Sequence, residues 1–546
     1  MKNQAYQTDV IIVGGGLAGI VVALELLDTG KQVLIIDRDT EANFGGLAKW
    51  AFGGMFFVNS KHQRRMGIKD SVDLAMQDWF SFADFEADEY WGKKWAEQYI
   101  HLCTPHSYDW LKSKKIGFFP VLNWVERGLH QPGNSVPRFH MVLGTGWELT
   151  YELIRQLKAH PNASNLSLKF GHRVLEIINE NGVIKGVRGQ LEHSEEGFEA
   201  KADIVVVATG GINGSIERVK QNWHKDWNTP PKKILNGAHQ FAVGDLHDAT
   251  EKINGSVVNL DKQWNYAAGI PHYAPRKKDH GLSLVPCKSA LWLNYEGRRF
   301  GPMPLITAYD TRYLVKRICE EPVKYSWQLL NRKIAKKEFA ISGSEHNPLM
   351  REKKILQFVL KTALVGNGKL MQQIIDNCED VVVATSLEEL VDKMNAVSEE
   401  KVVQLKYVRE AVENYDANID RGEKFHNDEQ LRRIAHARQY RGDRVRTCKF
   451  QKILDEKAMP LIAIKEHIVS RKSLGGIQTN LKSQVLTKAA TIAEQKVIEG
   501  LYAVGEAAGF GGGGMHGHRS LEGTFLGGCV ISARVAAAAI MDSTLS

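Results

Sequence analysis

Four apolar residues, Val10 to Val13, run unbroken into a turn through Gly14, Gly16 and Gly19. The run predicts a strand buried on both faces, and the apolar-periodic stretch after it predicts a helix ending near Gly30. Val33 to Ile36 predicts a second buried strand, which ends on Asp37. Two more are predicted at Ile204 to Val207, in "ADIVVVATGGING", and at 501–504, in "IEGLYAVGEAAG". Between them, "GHRVLEIINENGVIKGVRGQ" alternates apolar and polar residues about Asn181-Gly182, the pattern of a hairpin. Further on the period changes to that of helices. "ATSLEELVDKMN" offers Ser386 and Glu389 as a capping-box pair, and "LQFVLKTALVGNGKLMQQII" breaks at Gly366 and Gly368. The final helix is predicted over "SLEGTFLGGCVISARVAAAAI", with Ser520 able to cap it. Residues 80–150 are rich in aromatics; at helical spacing these read as core, or else as the lining of an apolar pocket.

The length of 546 residues suggests two to four domains. A net charge of +8 over so large a surface does not call for nucleic acid. The densest basic stretch, from Arg432 to Lys452 with Arg438, Arg441, Arg444 and Arg446, reads as a solvated face or as an attraction for an anionic ligand or membrane surface. The six cysteines have neither C-x-x-C nor metal-ligand spacing, so reduced thiols and no metal site are expected. No secretory leader and no unbroken apolar run of about 18 residues is visible, which favours a cytoplasmic protein without a transmembrane segment.

The first strand, turn and helix carry G-x-G-x-x-G, with an acidic residue about 20 positions on. Gly14 permits the tight turn, Gly16 lets backbone N–H groups approach a pyrophosphate, and Gly19 lets helix and strand pack. Asp37 can accept a ribose hydroxyl. This predicts dinucleotide binding. Two glycine pairs, Gly45-Gly46 and Gly53-Gly54, flank Lys49 and let backbone pass close to something flat or anionic. Glu506 could bind a sugar or ribityl hydroxyl. "GGGGMHGHRSLEGTFLGG", residues 511–528, places glycines and ionisable side chains just before a helix start. The glycines would give a planar ring room, and the helix N-terminus would stabilise the electron-rich N1–O2 edge of a reduced flavin. Arg519 and His518 would face the substrate, with His516 ordering the loop.

The motifs "VIIVGGGLAG", "GGLAKWAFGG", "VVVATGG", "LWLNYEGRRFGP", "SLGGIQTN" and "GLYAVGEAAG…GTFLGG" span nearly the whole chain. With them the sequence resembles the fumarate reductase/succinate dehydrogenase flavoprotein superfamily. Within it, the chain is most similar to the 3-ketosteroid dehydrogenase-like branch of FAD-binding dehydrogenases. The resemblance implies an α/β, Rossmann-like FAD-binding domain of the glutathione-reductase type at 1–265 and 468–546, interrupted by an α+β substrate-capping domain at 266–467. Leu47 stands where some members carry a histidine tether, so FAD is implied to be non-covalent. Its implied contacts are Gly14, Gly16, Leu17, Ala18, Asp37 and Arg38 at the first turn and second strand; Gly45, Gly46, Ala48, Lys49, Gly53 and Gly54 in the paired-glycine segment; Val174, Ala208, Thr209, Gly210 and Asp245; and Gly505, Glu506, Ser520, Gly523, Thr524 and Leu526 near the C-terminus.

The same resemblance implies the chemistry. Tyr309 matches a tyrosine that takes a substrate proton in ketosteroid dehydrogenases, with Arg312 three residues later. Arg519 stands near an arginine of fumarate reductases, and Arg471 and Lys472 replace their histidine. Arg127, Arg138 and His140 are further candidates to reach the site. The implied reaction removes two hydrogens from adjacent carbons of a ketone, one as hydride to the flavin and one as a proton to Tyr309, with Arg519 and His518 at the substrate. The alternatives are a reductase of an enone or unsaturated acid, and a flavin-binding protein without turnover. No second nucleotide fingerprint for NAD(P)H is visible. The implied partners are therefore a small hydrophobic or carbonyl substrate and a separate electron acceptor or donor, a protein or quinone.

Overall fold

The computed structural model describes residues 4–542, without the side chains of residues 363 and 364. Its central sheet has six strands in the order Gln484–Leu486, Val497–Ala503, Ile204–Val207, Val10–Val13, Val33–Ile36 and Leu166–Lys169. All neighbours are parallel except the Gln484–Leu486 edge. Val10–Val13, Val33–Ile36 and Ile204–Val207 have no polar residue because both faces are covered. Val10, Ile12, Val33, Ile35 and Val206 point to one core, with the helices Leu17–Leu27 and Thr524–Ile540. Ile11, Val13, Leu34, Ile36, Val205 and Val207 point to the other, against a four-stranded sheet. Side chains alternate along a strand, so adjacent residues serve different layers. The covering sheet is built from Gln4–Gln7, Gly197–Lys201 and the hairpin His172–Glu180/Val183–Leu191. That hairpin turns at Asn181 (φ 53°) and Gly182 (φ 87°), the left-handed pair that matches strand twist.

A second body packs around another sheet, in the order Leu291–Leu293, Ser326–Asn331, Leu461–Ser473, Gln263–Pro271, Gly281–Val285 and Ala340–Ile341. Its core is separate from the other two. Leu461–Ser473, thirteen residues long, pairs with both Ser326–Asn331 and Gln263–Pro271. The expected domain limits at 265/266 and 467/468 fall inside these two paired strands. Among the described residues no helix is long and apolar enough to cross a membrane. The six cysteines are free, five of them buried.

Several local expectations are corrected. Ser386 does cap its helix, its Oγ accepting the N–H of Glu389 at 3.2 Å, but Glu389 reaches back to the N–H of Thr385 (2.8 Å). The last helix begins at Thr524 behind Gly523 (φ 100°), so Ser520 lies a turn upstream of the cap. The glycine run 511–514 makes a buried turn against the helix Tyr90–Leu102 and gives no ring room in the cavity described below. A Cβ on Gly511 would lie 2.4 Å from the Trp95 ring and one on Gly512 2.6 Å from the Trp91 carbonyl. Most aromatics of residues 80–150, among them Phe82, Trp95, Tyr99, Tyr108 and Phe118, are core. Trp124 and Phe139 reach the cavity.

Candidate active site

Strands Val10–Val13, Val33–Ile36 and Ile204–Val207 all end at one edge of the parallel sheet, where such sheets place their ligands. A cavity of 440 Å³ opens there and extends to the second body. Gly14 and Gly19 are needed for packing: a Cβ on Gly14 would lie 2.4 Å from the Ala208 carbonyl, and one on Gly19 would lie 2.1 Å from the Gly14 carbonyl. Gly16 differs, since a Cβ there would meet no atom within 4 Å. It would project into the cavity at the start of the helix Leu17–Leu27, where unpaired N–H groups favour a pyrophosphate. Asp37 is fixed on the wall by the N–H groups of Gly15 (2.5 Å) and Asp39 (2.7 Å). Arg38 forks onto Glu192 (2.6 and 2.9 Å) and lies 4.4 Å from the Phe241 ring centroid. Asp245 is held by Arg173 at 2.8 and 2.9 Å. These groups, with Val174, line the same cavity and form a polar-edged recess that could hold an adenosine. Gly45, Gly46, Gly53 and Gly54 border its middle, all but Gly54 at positive φ.

The cavity's other end gathers charged groups from distant segments. Tyr266 donates its O–H to Glu522 at 2.5 Å, and the indole N–H of Trp264 donates to the same oxygen at 2.8 Å. The Lys472 ammonium lies 3.3 Å from the Tyr266 oxygen and 3.9 Å from the Phe525 ring centroid. Burial, then the Glu522 charge, pushes the Tyr266 phenol well above 10. Burial pushes Lys472 down to about 8 and Glu506 up to about 7. Glu126 accepts the Thr311 N–H at 3.0 Å and also the Thr311 hydroxyl. Its burial, with Asp310 and Glu522 nearby, raises it to about 8. Glu126 is therefore a neutral acid at neutral pH, able to donate a hydrogen bond.

The structure brings the implied FAD contacts to this cavity, except three. Lys49 turns away, its ammonium on the Ala42 carbonyl (2.5 Å) and over the Trp147 ring. Ser520 and Thr524 bond to each other at 2.9 Å, with His516 on Thr524 at 2.8 Å, behind the wall made by Gly523 and Phe525. Tyr309 is also off the cavity, although Ala308 and Thr311 line it. Its O–H donates to the Arg433 carbonyl at 3.1 Å, its ring lies under the Arg433 and Arg127 guanidinium groups, and burial raises its pKa. Arg519 pairs with Asp84 (2.7 Å) and Asp310 (3.3 Å). His518 lies between Glu86 (3.4 Å) and Arg312 (3.3 Å). Neither reaches the cavity wall, nor does Arg312, which burial lowers to about 10.

Other candidates also resolve. Arg138 is fully buried between Asp70 (2.7 Å) and Asp78 (2.5 Å), a structural ion triad. His140 bonds Ser60 at 2.6 Å in the core. Arg127 pairs with Asp443. Arg471 does line the cavity, donating to the Gly237 carbonyl at 2.7 Å. The basic stretch is partly folded inward: Arg446 lines the cavity and Arg438 donates to the Thr447 carbonyl. One group among the described residues, His272, Glu345 and His346, is close enough to hold an ion. However, the His272 Nδ1 accepts the Ala274 N–H at 2.9 Å, which leaves the proton on Nε2 and the ring poorly suited to ligate. Tyr266, Glu522 and Glu126 were not singled out by the sequence. They share no motif spacing, although Glu522 lies inside the glycine-rich stretch 511–528.

The FAD binding domain family matches residues 9–526. A KsdD-like steroid dehydrogenase of Mycobacterium tuberculosis is 42% identical over 97% of this chain and 94% of its own length. A fumarate reductase (cytochrome) of Shewanella frigidimarina is 27% identical over 54% of this chain and 47% of its own. The crystal structure of 3-ketosteroid Δ1-dehydrogenase from Sterolibacterium denitrificans, in complex with 1,4-androstadiene-3,17-dione, shares the fold with a TM-score of 0.68. It has 15% identity and covers 98% of this chain and 99% of that one. The match over nearly the full length, together with a cavity shaped for a dinucleotide, establishes that the chain belongs to the FAD binding domain family, as an FAD-dependent oxidoreductase of CH–CH groups.

Proposed function

We propose that the chain dehydrogenates a cyclic, 3-ketosteroid-like ketone, with Tyr266 and Glu522 moving the proton. The observation that carries this reading is the Glu522–Tyr266–Lys472 chain on the cavity wall, with spacings of 2.5 and 3.3 Å. A bound FAD would supply the hydride acceptor. The recess between Gly16, Asp37 and Asp245 would hold its nucleotide half, and the segment from Gly45 to Gly54 would border the ring. Tyr266 takes the proton from the carbon beside the substrate carbonyl. Its own phenolic proton passes to Glu522, so no free phenolate has to accumulate. Lys472 steadies the negative charge on the phenol oxygen while the proton is in transit. Trp264 holds Glu522 in line. Glu126, carrying its proton, donates to the substrate carbonyl and stabilises enolate character. Phe52, Phe139, Leu284 and Pro286 supply the apolar surface that a steroid-sized ring system requires. Tyr309, Arg519 and His518 act on this reading as struts that hold the second body in place. The electron acceptor is a separate protein or quinone.

The same residues run the reverse reaction if the partner supplies electrons, and Arg471 and Lys472, both cationic and on the wall, favour a carboxylate or enone for that direction. The test is anaerobic mixing with 3-ketosteroids and simpler cyclic ketones. Bleaching of the flavin band is the expected result. A chain that no ketone bleaches, but whose dithionite-reduced form an enone or unsaturated acid reoxidises, is the reductase. A chain that does neither overturns the catalytic reading.

A further inference from the structure

Twelve large apolar residues are exposed among the described residues, and four of them fall within ten positions: Leu356 (73% exposed), Val359 (53%), Leu360 (50%) and Val365 (50%). The first three stand at i, i+3 and i+4, spanning the short helix Ile355–Leu360, so they share one outward face. The inward face carries Ile355 and Phe358, which pack on a small satellite core of Phe119, Met141 and Met350, with the Phe358 and Phe119 rings 6.1 Å apart. Phe52 and Phe139 belong to the same cluster, and both line the FAD cavity. An unbroken apolar path therefore runs from the exposed face to the cavity wall.

Charge around the face is one-sided. Residues 351–369 hold Arg351, Lys353, Lys354, Lys361 and Lys369 but a single acid, Glu352. Lys354 pairs with Glu352 at 2.6 Å and Lys353 with Glu148. The cationic excess remains. Exposed apolar side chains in a segment with an excess of lysines match an interface between hydrocarbon and anionic headgroups. We propose that this segment rests on the surface of an anionic lipid bilayer, with Leu356, Val359 and Leu360 among the acyl chains and the lysines at the headgroups. A lipid surface also presents apolar substrates and quinones to the cavity end nearest this path, but the docking itself does not depend on the ketosteroid reading.

The test is sedimentation of the FAD-loaded full chain with vesicles, without substrate. With phosphatidylglycerol and phosphatidylcholine in about equal parts the protein should pellet. With phosphatidylcholine alone it should stay largely in solution. Raising the salt tenfold should release it, because headgroup attraction is screened. Leu356→Glu/Leu360→Glu should lower partitioning about a hundredfold. Lys354→Gln/Lys361→Gln should lower it about tenfold on the anionic vesicles only. Both variants should keep wild-type FAD content and wild-type turnover of a water-soluble ketone. A wild-type chain that ignores anionic vesicles overturns the proposal. So do variants that bind as well as wild type, or a dimer by light scattering that the leucine substitutions dissociate.

Discussion

Replacing Glu522 by glutamine keeps the side-chain shape and its hydrogen bonds to Trp264 and Tyr266, but removes the group that accepts the tyrosine's proton. The size of the effect follows from the Tyr266 environment. Burial holds its phenol above the ordinary value, and even an ordinary phenol, with a pKa of about 10, is less than about one part in a thousand phenolate at pH 7. Making that phenolate with no acceptor costs at least about 4 kcal/mol, three pKa units at roughly 1.36 kcal/mol each. Glu522→Gln should therefore slow anaerobic flavin reduction by ketone about a thousandfold, within the range found for general bases. The residual rate should climb with pH, since hydroxide then does what the carboxylate did. Tyr266→Phe should be slow without that climb, and the double variant should be no slower than Tyr266→Phe, because the two residues act as one unit. FAD content should be unchanged in all three. A Glu522→Gln protein whose reduction rate stays within about tenfold of the parent would refute the relay.

The other expectations concern separate parts of the site. Glu126→Gln keeps a donor and should hold the rate within about tenfold, whereas Glu126→Ala should lose about a hundredfold, measured by the same bleaching assay. Glu126 keeps its proton up to about pH 8 in the folded chain, while the unfolded chain releases it near 4.5. The folded state thus binds more protons across that window, stability falls as pH rises through it, and Glu126→Gln should flatten the melting temperature between pH 5 and 8. Gly16→Ala, with φ −77° and open space at its Cβ, should fold normally and lose FAD, read as flavin per chain; Gly14→Ala, with φ 112° and a carbonyl 2.4 Å away, should lower the melting temperature itself. Tyr309→Phe should leave flavin reduction within about threefold, since its hydroxyl serves the Arg433 carbonyl.

The nucleotide half of the molecule was legible because its signals are local. Val10–Val13 and Ile204–Val207 are apolar at every position because layers cover both faces, and the glycine spacing is read within one short turn even though the three glycines serve different ends: Gly19 clears the Gly14 carbonyl, Gly14 clears Ala208, and Gly16 leaves its Cβ position open to the cavity. The catalytic end was not legible in the same way. Glu126, Tyr266, Lys472 and Glu522 come from four separate segments, and no spacing links a loop residue to two strand residues and a turn. Tyr309 stood near the right place by resemblance, yet its neighbours Ala308 and Thr311 face the cavity while its own ring turns under Arg433. Ser520 had the chemistry of a helix cap, but Gly523 takes that position because the chain must pass the backbone of Met55 and Phe56 closely, where a Cβ would lie 2.8 Å away. The glycine run 511–514 suggested room for a ring; tight glycine turns equally serve to admit tryptophans, and Trp95 occupies that space.

The strand Leu461–Ser473 runs through the middle of the second body's sheet, pairing with Ser326–Asn331 and Gln263–Pro271, and its last residue grips the nucleotide-binding body: the Ser473 hydroxyl accepts the Ile212 N–H and its own N–H donates to Glu506, each at 2.9 Å. It works as a beam. Tilting one body against the other twists this single span, and the twist is resisted by ladder hydrogen bonds along its whole length. The loop at residues 123–126 and the short helix Arg441–Arg444 both border the cavity, so a motion confined to them would open it without twisting the beam. The same beam ties the two cores into one melting event, so heat should dismantle them together, and a cap cut free at either end of the strand would lose the member that holds it straight.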